Sequence, residues 1–125
     1  MIVGIGVDVV DISRVGRVIE RQTERFVNRV FTPAEQEYCR QHRNPAPHYA
    51  ARFAAKEAAF KALGTGWARG VTWLDVEVRR RSNEAPTLEL HGEARRYGDT
   101  LGVRATHVSL SHSDAVAVAM VVFEK

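Results

Sequence analysis

His48-Tyr49-Ala50-Ala51-Arg52-Phe53-Ala54-Ala55-Lys56-Glu57-Ala58-Ala59-Phe60-Lys61-Ala62-Leu63-Gly64 is the stretch on which the fold turns. Alanine and straight-chain residues favour a helix here, and Gly64 is the residue type that closes one. Asn44-Pro45-Ala46-Pro47 breaks the chain just upstream, so the pattern predicts a helix over about 48–63. Toward the N-terminus, Val3, Ile5, Val7 and Val9 alternate with Gly4, Gly6 and Asp8. That period of two predicts a strand with one apolar face and one small face ending in a carboxylate. Asp11 can cap a following helix over about 12–29, on which Ile12, Val15, Ile19, Phe26 and Val30 recur at helical spacing. Thr32-Pro33-Ala34-Glu35 then spells a capping box with proline at the first helical position, predicting a short helix to about 41.

Beyond the central stretch, residues 71–79 and 86–90 read as a hairpin turning at Asn83-Glu84. A helix over about 92–101 and a second hairpin, 106–110 with 115–123, complete the chain. Strands and helices are partly segregated along the sequence. The expected architecture is therefore α+β, a single domain over 1–125 with a mainly antiparallel sheet packed with helices.

Composition narrows the classes. At 125 residues with 45% hydrophobic and 26% charged side chains, one core forms without staples. The single Cys39 cannot bridge internally and fits a reducing, cytoplasmic location. Met1-Ile2-Val3-Gly4-Ile5 lacks the basic start of a secretion signal, and the run from Ala115 to Phe123 is about half of what a membrane span requires. No membrane association is expected. Eighteen basic against fifteen acidic residues, a net charge of +3, favour an anionic partner.

Gly4-x-Gly6 is no dinucleotide fingerprint, since Val9 stands where the third glycine belongs. Its glycines leave room instead for a ligand or another backbone beside Asp8. On the central helix Glu57 lies about 40° from the Phe53 and Phe60 face, with Lys61 one turn on. A simple Glu57–Lys61 ion pair is the plain reading. The chemical one is that Asp8 and Glu57 hold a hard cation such as Mg²⁺ against substrate phosphates that Lys61 also faces. Gly64-Thr65-Gly66 reads as a helix cap, and as a phosphate loop it would work against the negative end of the helix dipole. Ser111-His112-Ser113-Asp114 reads as a turn between strands, from which His112 could donate to a phosphate or amide. His42, His48, His91 and His107 show no zinc spacing.

The predicted first helix carries Arg14, Arg17, Arg21, Arg25 and Arg29 within about 120° of one another. Five arginines and no lysine favour multidentate contact with carboxylates or phosphates. Without interleaved aromatics the stripe suits an acidic protein at least as well as nucleic acid. Two other readings use the same stripe: a basic adaptor without enzymatic activity, and a nucleic-acid binder.

The joint pattern is more specific than its parts. Gly4 to Asp8, Arg52 to Gly66 and Val108 to His112, with Phe31-Thr32-Pro33-x-Glu35 and Asn83-x-x-Pro86, closely resemble the holo-acyl-carrier-protein synthases. These are the small class of the 4′-phosphopantetheinyl transferases. The resemblance implies their fold, and transfer of the phosphopantetheine arm of coenzyme A to a serine of apo acyl carrier protein, releasing adenosine 3′,5′-bisphosphate. It implies Mg²⁺ held by Asp8 and Glu57, Lys61 on the phosphates, and Gly64, Thr65, Gly66, Pro86 and His112 at the coenzyme. It further implies Arg52 at the 3′-phosphate, Arg14, Arg21 and Arg25 as the seat of the acidic carrier, and a homotrimer with sites between subunits. Nucleic acid is not an expected partner.

Overall fold

The computed structural model describes residues 1–66, 69–81 and 83–125. Strand β1 (Ile2–Asp11) leads into helices α1 (Ile12–Gln22), α2 (Glu24–Val30), α3 (Pro33–Arg40) and α4 (Ala46–Leu63). A single 3₁₀ turn (Trp73–Asp75) precedes the hairpin β2 (Val76–Arg79) and β3 (Thr87–Leu90), followed by α5 (Gly92–Leu101), β4 (Ala105–His112) and β5 (Val116–Glu124). All strand pairs are antiparallel, in a three-stranded sheet ordered β1-β5-β4 and a separate two-stranded β2-β3 hairpin. The expected α+β class holds, with the sheet divided in two.

Helix α4 is the axis of the molecule. Ala50, Ala54, Ala55, Ala58 and Ala59 are fully buried, and β1 packs directly on it. A Cβ on Gly6 would stand 1.9 Å from the Ala58 carbonyl oxygen, and one on Gly4 2.2 Å from that of Ala62. The space kept by the two glycines is thus filled by another backbone. The face of β1 read as apolar consequently turns away from the core: Ile5 is 59% exposed, Val7 53% and Val9 60%. Met120, directly opposite Val7 on β5, is exposed beside them. Directly paired residues share a face, so Gly6, Val121 and Val108 look inward toward α4, as do Asp8, Ala119 and Leu110.

Three local expectations change. The first predicted helix is two, broken at Thr23, whose φ of 46° is one that a β-branched residue rarely adopts. Asp11 takes the N-cap position of α1 without a side-chain cap bond. Of residues 71–79 only Val76–Arg79 form a strand, the Trp73–Asp75 turn preceding it. The capping box forms as read: the Thr32 hydroxyl accepts from the Glu35 amide at 3.2 Å, and Glu35 accepts from the Thr32 amide at 2.9 Å.

That capping carboxylate has a second task the sequence did not disclose. Glu35 Oε1 lies 2.8 Å from Lys56 Nζ, both side chains being fully buried. The Lys56 ammonium also donates to the carbonyls of Trp73 and Val76, so its three N–H groups are all used. Glu35 Oε2 accepts from the Val78 amide at 2.9 Å. One buried ion pair therefore ties α3, α4 and the β2-β3 hairpin together.

Candidate active site

Asp8 stands on the inward face of β1, two residues beyond Gly6, where the strand leaves its close contact with α4. Glu57 comes from α4 on the other side of the gap. Both line a cavity of about 620 Å³ whose wall also includes Arg14, Phe26 and Phe53. Burial and then the Asp8 carboxylate push the Glu57 carboxyl above its ordinary value, with Lys61 acting in the opposite sense. Lys61 Nζ lies 3.1 Å from Asp8 Oδ1 and donates to the Val7 carbonyl at 3.0 Å. The lysine thus pairs across to the strand, and the Glu57–Lys61 pair along the helix does not form. Two carboxylates face one cavity and a lysine is paired to one of them, a donor set of hard oxygens with excess negative charge. That set fits Mg²⁺, which is commonly bound through one or two carboxylates together with substrate phosphates.

Gly64 ends α4 in the left-handed conformation with φ 76°, and Gly66 has φ 54°. The Gly64 amide bonds back to the Lys61 carbonyl and the Thr65 amide to that of Phe60, so both N–H groups serve the cap. Thr65 is buried and its hydroxyl donates to the Gly66 carbonyl at 3.2 Å. Pro86 is half-buried immediately before β3. Arg14, Arg21 and Arg25 are exposed, as are Arg17 and Arg29, and the break at Thr23 divides them between α1 and α2.

Arg52 is buried, contrary to the open position its expected phosphate contact suggests. Its guanidinium lies 4.0 Å from the Tyr38 ring centroid and donates to the His48 carbonyl at 3.3 Å, while its buried Nε has no hydrogen-bond partner. Around it gather rings that the sequence pattern does not connect. The imidazoles of His42 and His48 stack at 3.5 Å, and His112 meets His48 edge-on at 5.8 Å. His91, likewise without ligand spacing in the sequence, meets Glu77 and Glu89 across the hairpin, all three ligand atoms lying within 4.8 Å of one another. That cluster is internally paired, with Thr32 donating to Glu77 and Arg79 to Glu89.

Two carboxylates lining a cavity, one of them paired to a lysine, are groups suited to a phosphate-bearing substrate and a hard cation. The chain belongs to the 4′-phosphopantetheinyl transferase superfamily, whose family model matches residues 4–120. It is 48% identical over 124 residues to the holo-[acyl-carrier-protein] synthase of Koribacter versatilis, 99% of each chain being covered. The crystal structure of holo-[acyl-carrier-protein] synthase from Neisseria meningitidis superposes with a TM-score of 0.89 at 31% identity, over 100% of both chains. The Helicobacter pylori enzyme in complex with coenzyme A gives 0.84 at 29% identity, over 96% of this chain and 99% of that one. Membership of an enzyme family stands against the reading of the chain as an adaptor without enzymatic activity.

Proposed function

We propose that the chain is a holo-acyl-carrier-protein synthase, moving 4′-phosphopantetheine from coenzyme A to a serine of apo acyl carrier protein. The observation that supports this best is that Asp8 and Glu57 line one cavity with Arg14 on its wall, while Lys61 is ion-paired to Asp8. The serine oxygen attacks the β-phosphorus of the coenzyme pyrophosphate, a phosphodiester forms, and adenosine 3′,5′-bisphosphate leaves. Asp8 and Glu57 would hold Mg²⁺, which when bound stabilises negative charge on the pyrophosphate. Lys61 supplies a positive charge for the same oxygens. Glu57, with its carboxyl held above the ordinary range, is suited to take the serine proton, directly or through a water. Gly64, Thr65, Gly66, Pro86 and His112 line the coenzyme, and Arg52 supports its 3′-phosphate end. No helix among the described residues is long and apolar enough to cross a membrane. The buried Cys39, whose thiol burial pushes up to about 12, accords with the reducing cytoplasm.

The assembly is a homotrimer with sites between subunits. The outward face of the three-stranded sheet supports this, because Ile5, Val7, Val9 and Met120 form an exposed apolar patch that a neighbouring copy would cover. Sedimentation of the chain is expected to give three times the 14.0 kDa protomer mass.

Mass spectrometry of an apo carrier incubated with the protein, coenzyme A and Mg²⁺ tests the activity. A phosphopantetheine mass gain abolished by EDTA is expected; no gain with any carrier rejects the assignment. Arg14 and Arg21 face an acidic carrier in this reading. Reversing both to Glu is expected to raise KM for the carrier by tenfold or more, about 1.4 kcal/mol, while KM for coenzyme A changes little. Equal effects on both would place the arginines elsewhere in the reaction.

A further inference from the structure

A second cavity, of about 360 Å³, lies against another face of α1 and shares no lining residue, among the described ones, with the Asp8 and Glu57 cavity. Arg14, Val15 and Val18 of α1 border the one; Gly16, Ile19 and Glu20 border the other. The end of α3 and the first turns of α4 close the second cavity, supplying Arg40, Ala46 and Tyr49. Helices α1 and α4 approach closely there, since a Cβ on Gly16 would stand 3.8 Å from the Ala46 Cβ. Ile19, Val27, Ala46 and the buried Tyr49 ring make the interior largely apolar. An apolar hollow of this size with a few polar groups at its edge is the common form of a small-molecule site.

The edge carries charge of both signs. Glu20 and Glu24 stand on the α1 and α2 wall, on either side of the break at Thr23. Arg17, Arg21 and Arg25 are their neighbours in the chain, yet neither glutamate makes an ion pair among the described residues. Glu20 lies in the last turn of α1, where the helix dipole disfavours a carboxylate. Glu24 opens α2, where the dipole favours one, so local structure accounts for one acid and leaves the other unexplained. On the α3 and α4 wall, the Arg40 guanidinium donates to Gln36 Oε1 at 3.0 Å. Burial first, and then Cys39, push the Tyr49 phenol up while Arg40 opposes them, so guanidinium and phenol share that wall. A hydrocarbon ligand would use the apolar interior alone. An amine would leave Arg40 unmet, and a carboxylic acid would meet two like charges. A zwitterion with an apolar side chain matches all three features.

We propose that this cavity is a binding site for a free apolar α-amino acid of the leucine or phenylalanine kind. Its side chain lies against Ile19, Val27 and Ala46, its ammonium meets Glu20 and Glu24, and its carboxylate meets Arg40. The three charged side chains are exposed and therefore free to turn toward the ligand. The site is separate from the Asp8 and Glu57 cavity and stands whether or not the chain transfers phosphopantetheine.

Isothermal titration of the full chain with L-phenylalanine and L-leucine tests this, with glycine, phenethylamine and 3-phenylpropionate for comparison. Each comparison ligand lacks one of the three features. Both apolar amino acids are expected to bind, L-phenylalanine at least about tenfold more tightly than any comparison ligand, because each omission leaves a charge or the apolar interior unmet. Arg40→Gln, and separately Glu20→Gln with Glu24→Gln, should each weaken L-phenylalanine by about tenfold or more, with thermal melting as the folding control. Failure of both amino acids to bind overturns the proposal. So does equal affinity for phenethylamine or 3-phenylpropionate, which makes the site one for a simple cation or a simple carboxylate. Full affinity in either charge variant places the amino acid elsewhere and overturns it as well. Carrier modification by the same samples reports on the transferase reading independently.

Discussion

Replacing Glu57 by Gln is expected to lower kcat/KM for carrier modification by about a hundredfold or more at saturating Mg²⁺, while leaving the protein folded. The substitution keeps the shape and one acceptor oxygen but removes the charge that faces the cavity shared with Asp8. As a cation ligand and as a base the side chain fails together, so near wild-type turnover would refute both roles. Stability should move the other way. The Glu57 carboxyl is raised first by burial and then by Asp8, so charging it costs folding energy. Between the ordinary carboxylate value and the raised one, the folded state holds more protons than the unfolded chain. Wild-type stability therefore falls as pH rises through that window, and Glu57→Gln should abolish that slope. Urea titrations across the mildly acidic range read the difference. A variant both inactive and no less stable marks a group retained for chemistry.

Lys56→Met is expected to destabilise the fold by about 3–5 kcal/mol, a large fraction of the stability of a domain this size. The ammonium and Glu35 carboxylate meet at 2.8 Å with no exposure, and the change leaves the carboxylate charged without its partner. Burial pushes the Lys56 ammonium down, and Glu35 first and then Glu77 oppose that shift, so Glu35 is the main support of the charged form. Adding Glu35→Gln to Lys56→Met removes the orphaned charge and keeps an acceptor for the amides of Thr32 and Val78. Recovery of at least about 1 kcal/mol relative to additivity is expected in equilibrium urea unfolding. Strict additivity would show that the two side chains do not act as a pair. Because the pair links α4 to the hairpin that carries Pro86, its loss should also raise KM for coenzyme A.

Elements with local signals were legible in the sequence. The Thr32 capping box, the Gly64 stop and the strand periods are set within a few residues of chain, where turn geometry and hydrogen bonding compete on short range. Asp8, Glu57 and Lys61 were legible as a set through their spacing. Their pairing was not: Lys61 reaches the strand carboxylate and passes over its neighbour on the helix, because α4 is brought onto β1 by close backbone packing.

Sequence alone determined the α+β class, the order of nearly every element, the two carboxylates and the arginines of the N-terminal helices. Tertiary structure decided which face of β1 is inside. Alternation says that two faces differ, yet only the glycine-to-alanine contact with α4 turns Gly4, Gly6 and Asp8 inward and leaves Ile5, Val7 and Val9 uncovered. Tertiary structure likewise joined Glu35 to Lys56, and His42 to His48 and His112. Contacts between residues as far apart in the chain as His48 and His112 leave no periodic trace, since they depend on how separate elements pack and not on local propensity. The arginines are thereby divided by the fold into an exposed face on α1 and α2 and the buried Arg52, against which half-buried His48 packs its carbonyl.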